Sequence, residues 1–220
     1  MSKLFNLHTH KFTNQEENIL ELVNQYPWEF DEKIPFYSIG IHPWYINEER
    51  LNVDLQTIEQ KLALNNCLAL GECGLDKRIE IPLETQINVF KTQIFLAEKC
   101  QKPLVLHCVA AFQEIIQIKK ELKVKVPMII HGFSKNEPTA KQLLDNGFYL
   151  SFGKYLLRNP ELKTVFQSVP NDRFFLETDT VEESLEEVYA LAANYKNIEI
   201  EEVKEIVASN FEKVFQLKLI

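Results

Sequence analysis

Short apolar runs rich in β-branched residues alternate with longer segments of helical period along most of the chain. Such alternation predicts a parallel sheet with helical crossovers. The runs predict strands at Leu4–His8, Tyr37–Ile41, Leu68–Glu72, Leu104–His107, Met128–His131, Phe148–Ser151 and Phe174–Glu177. Ile19–Val23 is a further candidate strand, although the same residues suit a short helix. Leu83, Ile87, Phe90, Ile94 and Ala97 recur at steps of three and four, as do Leu51, Leu55, Ile58 and Leu62, so each set predicts a helix packed by one face. Val203, Val207, Phe211 and Val214 predict a third such helix near the C-terminus.

Strands and helices in this order can form a doubly wound open sheet or a closed (β/α)8 TIM barrel. Polar positions discriminate between them. An open sheet gathers ligand groups at one switch point, whereas a barrel draws them from many strand ends around one mouth. Here the unusual polar residues are spread over six strand ends, which favours the α/β barrel. With 220 residues the chain lies near the lower size limit of about 200 for that fold. A compact barrel with a truncated early crossover is expected, the lost helix falling between Lys11 and Pro35, and residues 1–220 are expected to form a single domain.

Composition narrows the class. Hydrophobic residues at 45% and charged residues at 25% exclude disordered, collagen-like and coiled-coil chains. No stretch reaches the ~18 apolar residues of a membrane helix, and no leader pattern precedes the first histidines, so a cytoplasmic protein is expected. Twenty-four basic residues against 32 acidic ones, a net charge of −8, argue against a broad basic surface for nucleic acid. Most of that excess lies between Val181 and Ile206, in Glu182, Glu183, Glu186, Glu187, Glu199, Glu201, Glu202 and Glu205, and predicts a solvated helical face. Cys67, Cys73, Cys100 and Cys108 lack CxxC spacing and lie in apolar segments, as reduced core thiols do.

The five histidines, His8, His10, His42, His107 and His131, each fall at or just after the end of a predicted strand. In a barrel those ends converge on one rim. Residues two apart in a strand point the same way, so His8 and His10 can present two imidazoles to one ion. Glu72 and Asp179 stand at comparable strand ends, and a buried carboxylate there is costly unless paired or bound to a cation. Four imidazoles with two carboxylates exceed the needs of one catalytic ion with an open position. Two divalent ions bridged by a carboxylate would use them all.

The motif series resembles the TatD-type metal-dependent hydrolases, a deoxyribonuclease-containing branch of the amidohydrolase-like barrels. It comprises Asn6-Leu7-His8-Thr9-His10, Gly40-Ile41-His42-Pro43, Gly71-Glu72-Cys73-Gly74-Leu75-Asp76, Pro103-Leu104-Val105-Leu106-His107, His131-Gly132-Phe133-Ser134 and Glu177-Thr178-Asp179. Gln86, Phe90, Gln93 and Ala97, with Asn210 to Phe215, extend the similarity over nearly the whole chain. The resemblance implies one metal at His8, His10, Glu72 and Asp179, and a second at Glu72, His107 and His131, with Glu72 bridging. It implies catalytic roles for Asp179 and Glu72 around a water activated by two metals, a substrate-side role for His42, and a supporting hydrogen bond from Glu177. The ions could be Zn, Mn, Mg, Fe or Ni.

Some positions depart from the family pattern. Asn6 replaces the usual Asp, Cys108-Val109-Ala110-Ala111 supplies no cation after His107, and Lys135 stands where the family has Gly. After Asp179 the chain turns through Thr180 into Val181-Glu182-Glu183 instead of a Pro-aromatic, basic loop. Lys77, Arg78, Lys154 and Arg158 could form a small basic rim, and are otherwise solvated charges. The expected substrate is a phosphoester, either DNA ends or a nucleotide-like molecule, with no membrane and no obligate protein partner. The alternatives are hydrolysis of an amide or lactone by the same chemistry, or a metal-stabilised interaction module acting through its acidic helices.

Overall fold

The computed structural model describes residues 3–15, 17–180 and 183–219. Eight strands follow one another as β1 (Leu4–Thr9), β2 (Ile19–Gln25), β3 (Tyr37–Ile39), β4 (Cys67–Asp76), β5 (Leu104–Val109), β6 (Met128–Ile130), β7 (Tyr149–Phe152) and β8 (Phe174–Leu176). The helices are α1 (Leu51–Leu62), α2 (Leu83–Cys100), α3 (Phe112–Leu122), α4 (Glu137–Asp145), α5 (Lys154–Arg158), α6 (Leu162–Ser168), α7 (Leu185–Lys196) and α8 (Ile200–Phe215). The strands are ordered in the sheet as they are in the chain, the order of the (β/α)8 class.

The ambiguous Ile19 segment is a strand, longer than expected, paired in parallel with β3 through Val23 opposite Tyr37. Among the described residues no helix lies between β1 and β3, so the early crossovers are truncated as the sequence implied. Side chains brace these helix-free connections. The Glu21 carboxylate accepts from Thr13 N at 2.9 Å, and the Gln25 amide brackets Asp31, accepting from its N at 2.7 Å and donating to its O at 3.2 Å.

The chain divides into two compact units, Met1–Leu22 with Ile130–Ile220, and Val23–Ile129. In the first, a parallel bridge pairs Thr9 with Asp179 and so ties the end of β1 to the turn after β8. Phe5, Phe175, Phe211 and Phe215 pack edge-on and stacked between these strands and α8, with centroids 4.7 to 6.1 Å apart. The α8 stripe is buried as expected.

In the second unit, β4 pairs in parallel with β3 and β5 and is buried throughout. Its neighbour α2 buries Gln86, Val89, Phe90, Gln93, Ile94 and Ala97, while Leu83 and Ile87 are only half-buried. Two glutamines thus occupy core positions that periodicity alone would give to aliphatic residues. They can do so because their amides are fully engaged with backbone groups.

Ser184 caps α7 in a reciprocal box with Glu187. Glu186, Glu187, Glu199, Glu201, Glu202 and Glu205 are exposed, several of them in first turns where the helix dipole favours carboxylates. Val181 and Glu182 lie outside the described residues. All four cysteines are free, but only Cys67 and Cys73 are core thiols, because Cys100 and Cys108 are half-exposed. Burial pushes the Cys67 thiol up to about 12. No helix among the described residues is long and apolar enough to cross a membrane.

Candidate metal centre

The first unit assembles its polar cluster through backbone pairing. Asp179 N donates to His8 O at 2.9 Å, and His10 N donates to Asp179 O at 3.2 Å. Asp179 adopts φ +58°, a left-handed conformation that Asp tolerates better than most residues. Its carboxylate Oδ1 lies 3.7 Å from His8 Nε2 and 3.6 Å from His10 Nε2. His131, just after β6, brings its ring to 4.3 Å from that of His8. Ligand atoms of His8, His131 and Asp179 all lie within 4.8 Å of one another.

Supporting contacts surround this cluster. Buried Glu177 accepts from Gly132 N at 2.7 Å and lies 3.4 Å from His131 Nδ1. Asn6, the departure from the family's Asp, uses both ends of its amide: Nδ2 donates to Thr178 Oγ1 at 2.9 Å and Oδ1 accepts from Thr178 N at 3.1 Å. Lys154, which the sequence offered either as part of a basic rim or as a solvated charge, places Nζ 2.5 Å from Asp179 Oδ2. Burial alone would raise the Asp179 carboxyl, but the imidazoles of His8 and His131 and the Lys154 ammonium outweigh it and hold the group below its ordinary value.

Within the second unit, Glu72, His42 and His107 also come together. Glu72 N donates to Asn24 Oδ1 at 2.6 Å. Its carboxylate Oε1 lies 3.2 Å from His42 Nε2 and 3.0 Å from His107 Nδ1. His107 Nε2 is 3.3 Å from Asp76 Oδ2, which also accepts from the indole N–H of Trp44 at 2.7 Å. Burial opposes ionisation of Asp76, but Trp44, the Arg78 backbone N–H and His107 outweigh it and lower its pKa.

Helix α2 fixes two of these positions. Gln93 holds Ile41, the residue before His42, by accepting from its N at 2.8 Å and donating to its O at 3.1 Å. Gln86 does the same for Asp76, at 2.8 and 3.0 Å. Gly74 allows the close strand approach at His107, since a Cβ there would stand 2.0 Å from His107 O.

The donor sets fit divalent ions, because neutral imidazole nitrogen and carboxylate oxygen are the ligands such ions take. His107 Nδ1 and Glu72 face each other across 3.0 Å, so both can offer a donor atom to one ion. His42 fits less well. By distance it groups with Glu72 and His107, but its Nδ1 accepts from Trp44 N at 3.1 Å. The neutral ring therefore carries its proton on Nε2, which donates to Glu72 and cannot ligate a cation.

Comparison with known proteins places this geometry in context. The TatD related DNase family matches residues 2–216. The chain belongs to the TatD family of metal-dependent hydrolases. This TatD-family chain is 29% identical over 199 residues to an uncharacterised metal-dependent hydrolase, YabD, of Bacillus subtilis, covering 83% of this chain and 78% of that one. It is 28% identical over 171 residues to a 3′-5′ ssDNA/RNA exonuclease TatD of Erwinia tasmaniensis, covering 75% and 63% of the two chains. The crystal structure of the TatD homologue YJJV of Escherichia coli K12 superimposes with a TM-score of 0.82 at 19% identity, covering 97% of this chain and 98% of that one. That likeness is one of fold, and the fold is a (β/α)8 TIM barrel.

Three contributors to the TatD-family clusters carried no assigned role in the sequence: Asn24, Trp44 and Asp76. Asp76 lay within a quoted motif, and its place at the end of the β4 run was the signal that could have found it. Asn24 carried no local signal, since it acts across a strand boundary.

Proposed function

We propose that the protein is a divalent-metal-dependent hydrolase that cleaves phosphoester bonds, DNase-like in chemistry, with residues 1–220 acting as one catalytic domain. The observation that carries the reading is the grouping, in a TatD-family chain, of imidazoles with the carboxylates of Glu72 and Asp179. In this reading two ions are bound, their ligands drawn from His8, His10, Glu72, His107, His131 and Asp179, with Glu72 shared as the resemblance implies. Such ions supply Lewis acidity to a phosphoryl oxygen and lower the pKa of a water.

The chain's own groups supply the rest. Asp179, kept ionised by His8, His131 and Lys154, orients the attacking water and accepts its proton. His42 holds a proton on Nε2, aimed at Glu72 in the free protein, and donates a hydrogen bond through it to the substrate's phosphate. Lys154, half-buried beside Asp179, holds that carboxylate in place. The name of the Erwinia relative supports single-stranded nucleic acid as the substrate class.

The test is hydrolysis of a phosphodiester by purified protein supplied in turn with Mg, Mn and Zn. Activity is expected to vanish with chelator and in Asp179→Asn while circular dichroism stays unchanged. Full activity in Asp179→Asn would reject its role. Lactones and amides run in parallel decide the alternative, carbonyl hydrolysis; turnover of those alone would replace the phosphoester reading.

A further inference from the structure

We infer that Trp44 and Tyr45 form a stacking platform for an unpaired nucleobase of the substrate. The inference rests on the phosphoester reading and adds to it where binding energy comes from. These two residues are adjacent in the chain and are 53% and 43% exposed, so together they present aromatic surface to solvent. They also border the second cluster. The Trp44 ring lies 5.0 Å from that of His42 and 5.9 Å from that of His107, and Tyr45 lies 5.7 Å from His42.

The rings are held in place before any ligand arrives. The indole N–H of Trp44 is committed to Asp76 at 2.7 Å. Tyr45 rests edge-on against Tyr26 and Trp28, at 5.3 and 5.9 Å, and that pair is itself stacked at 4.9 Å with 9° between planes. The Arg50 guanidinium closes the stack 3.8 Å over Trp28. A platform fixed in this way loses little conformational entropy when a base settles on it.

Charge points to the same occupant. Phosphate-led binding needs free Lys and Arg, yet three of the four rim cations are paired, Lys77 with Glu114, Lys154 with Asp179 and Arg158 with Glu183. Stacking on aromatic faces is the other general source of affinity for single strands and tolerates any sequence. A paired base hides its faces in the duplex, so the platform selects an unpaired one. A nucleoside stacked there brings its phosphate next to His42, Glu72 and His107.

The experiment compares kcat/KM of the Mn-loaded enzyme for a dinucleotide and for its two analogues lacking one base or the other. A second readout titrates adenosine monophosphate against tryptophan fluorescence of metal-free protein. Wild type is expected to prefer the full dinucleotide over one analogue by about 5-fold or more, the lower end of what stacking one base contributes. Trp44→Leu is expected to bring that ratio close to one and abolish the quenching. Trp44→Phe keeps a ring but not the Asp76 bond, and is expected to retain most of the preference; Tyr45→Leu is expected to weaken it.

A preference unchanged in Trp44→Leu overturns the inference, as does equal loss in Trp44→Phe, which would assign the effect to Asp76. If wild type cleaves no phosphodiester, the functional reading has failed on its own account. The fluorescence titration then decides the platform, and no quenching by adenosine monophosphate in wild type overturns it.

Discussion

His107 is the residue whose surroundings define the second cluster, because each ring nitrogen faces a different carboxylate, Glu72 at 3.0 Å and Asp76 at 3.3 Å. Asp76 accepts from Nε2 and thereby leaves Nδ1 to deal with Glu72 or an ion, the usual work of a carboxylate behind a metal-binding histidine. Asp76→Asn is expected to lower metal affinity, measured by calorimetry, roughly 10- to 100-fold without unfolding the protein. Asp179 presents a different balance. Its carboxyl titrates below the ordinary value of 3.8, so the unfolded chain binds the proton more readily. The stability it contributes is present above pH 3.8 and is lost as pH falls through the folded-state value. Denaturant melts of metal-free wild type and Asp179→Asn are therefore expected to differ at pH 7 and converge in acid.

At the level of elements, α2 does more than cover the sheet. Gln86 and Gln93 lie seven residues apart on its buried face and hold the backbone at Asp76 and Ile41. Gln93→Leu preserves size and burial but strands Ile41 N and O without partners. Each such loss costs about 1–3 kcal/mol, so urea unfolding is expected to show a destabilisation of about 2–4 kcal/mol. His42 would lose its placement with it, and kcat is expected to fall as well. The glutamines were visible in the sequence as part of the family resemblance, but periodicity assigned the helix face to Leu83 and Ile87. Amphipathic pattern counts apolar residues and cannot register a buried amide whose partners lie on other elements.

For the whole molecule, charge is the governing property. The chain carries −8, and Lys77, Lys154 and Arg158 are engaged with carboxylates. Few phosphates can be neutralised, and each neutralised phosphate contributes about −0.7 to the salt slope for a single strand. Fluorescence anisotropy with labelled single-stranded DNA between roughly 50 and 200 mM salt is expected to give a log–log slope no steeper than about −1.5. A steep slope would reveal a basic surface that the described residues do not show.

The sequence by itself determined the strand and helix alternation and the missing early helix, and it singled out His8, His10, Glu72, His107, His131 and Asp179 as candidate ligands. Those are legible because apolar periodicity and the residue types metals require are local properties of the chain. It could not decide whether Ile19–Val23 is strand or helix, since a short apolar run fits either until a neighbour such as β3 supplies hydrogen bonds. Only the tertiary structure decided that His131 sits with His8 and Asp179, that Lys154 is an ion-pair partner rather than a solvated charge, and that Trp44 leans on Asp76. Each depends on which strand ends become neighbours. That adjacency is fixed by packing and sheet register, which bring together residues far apart in the chain.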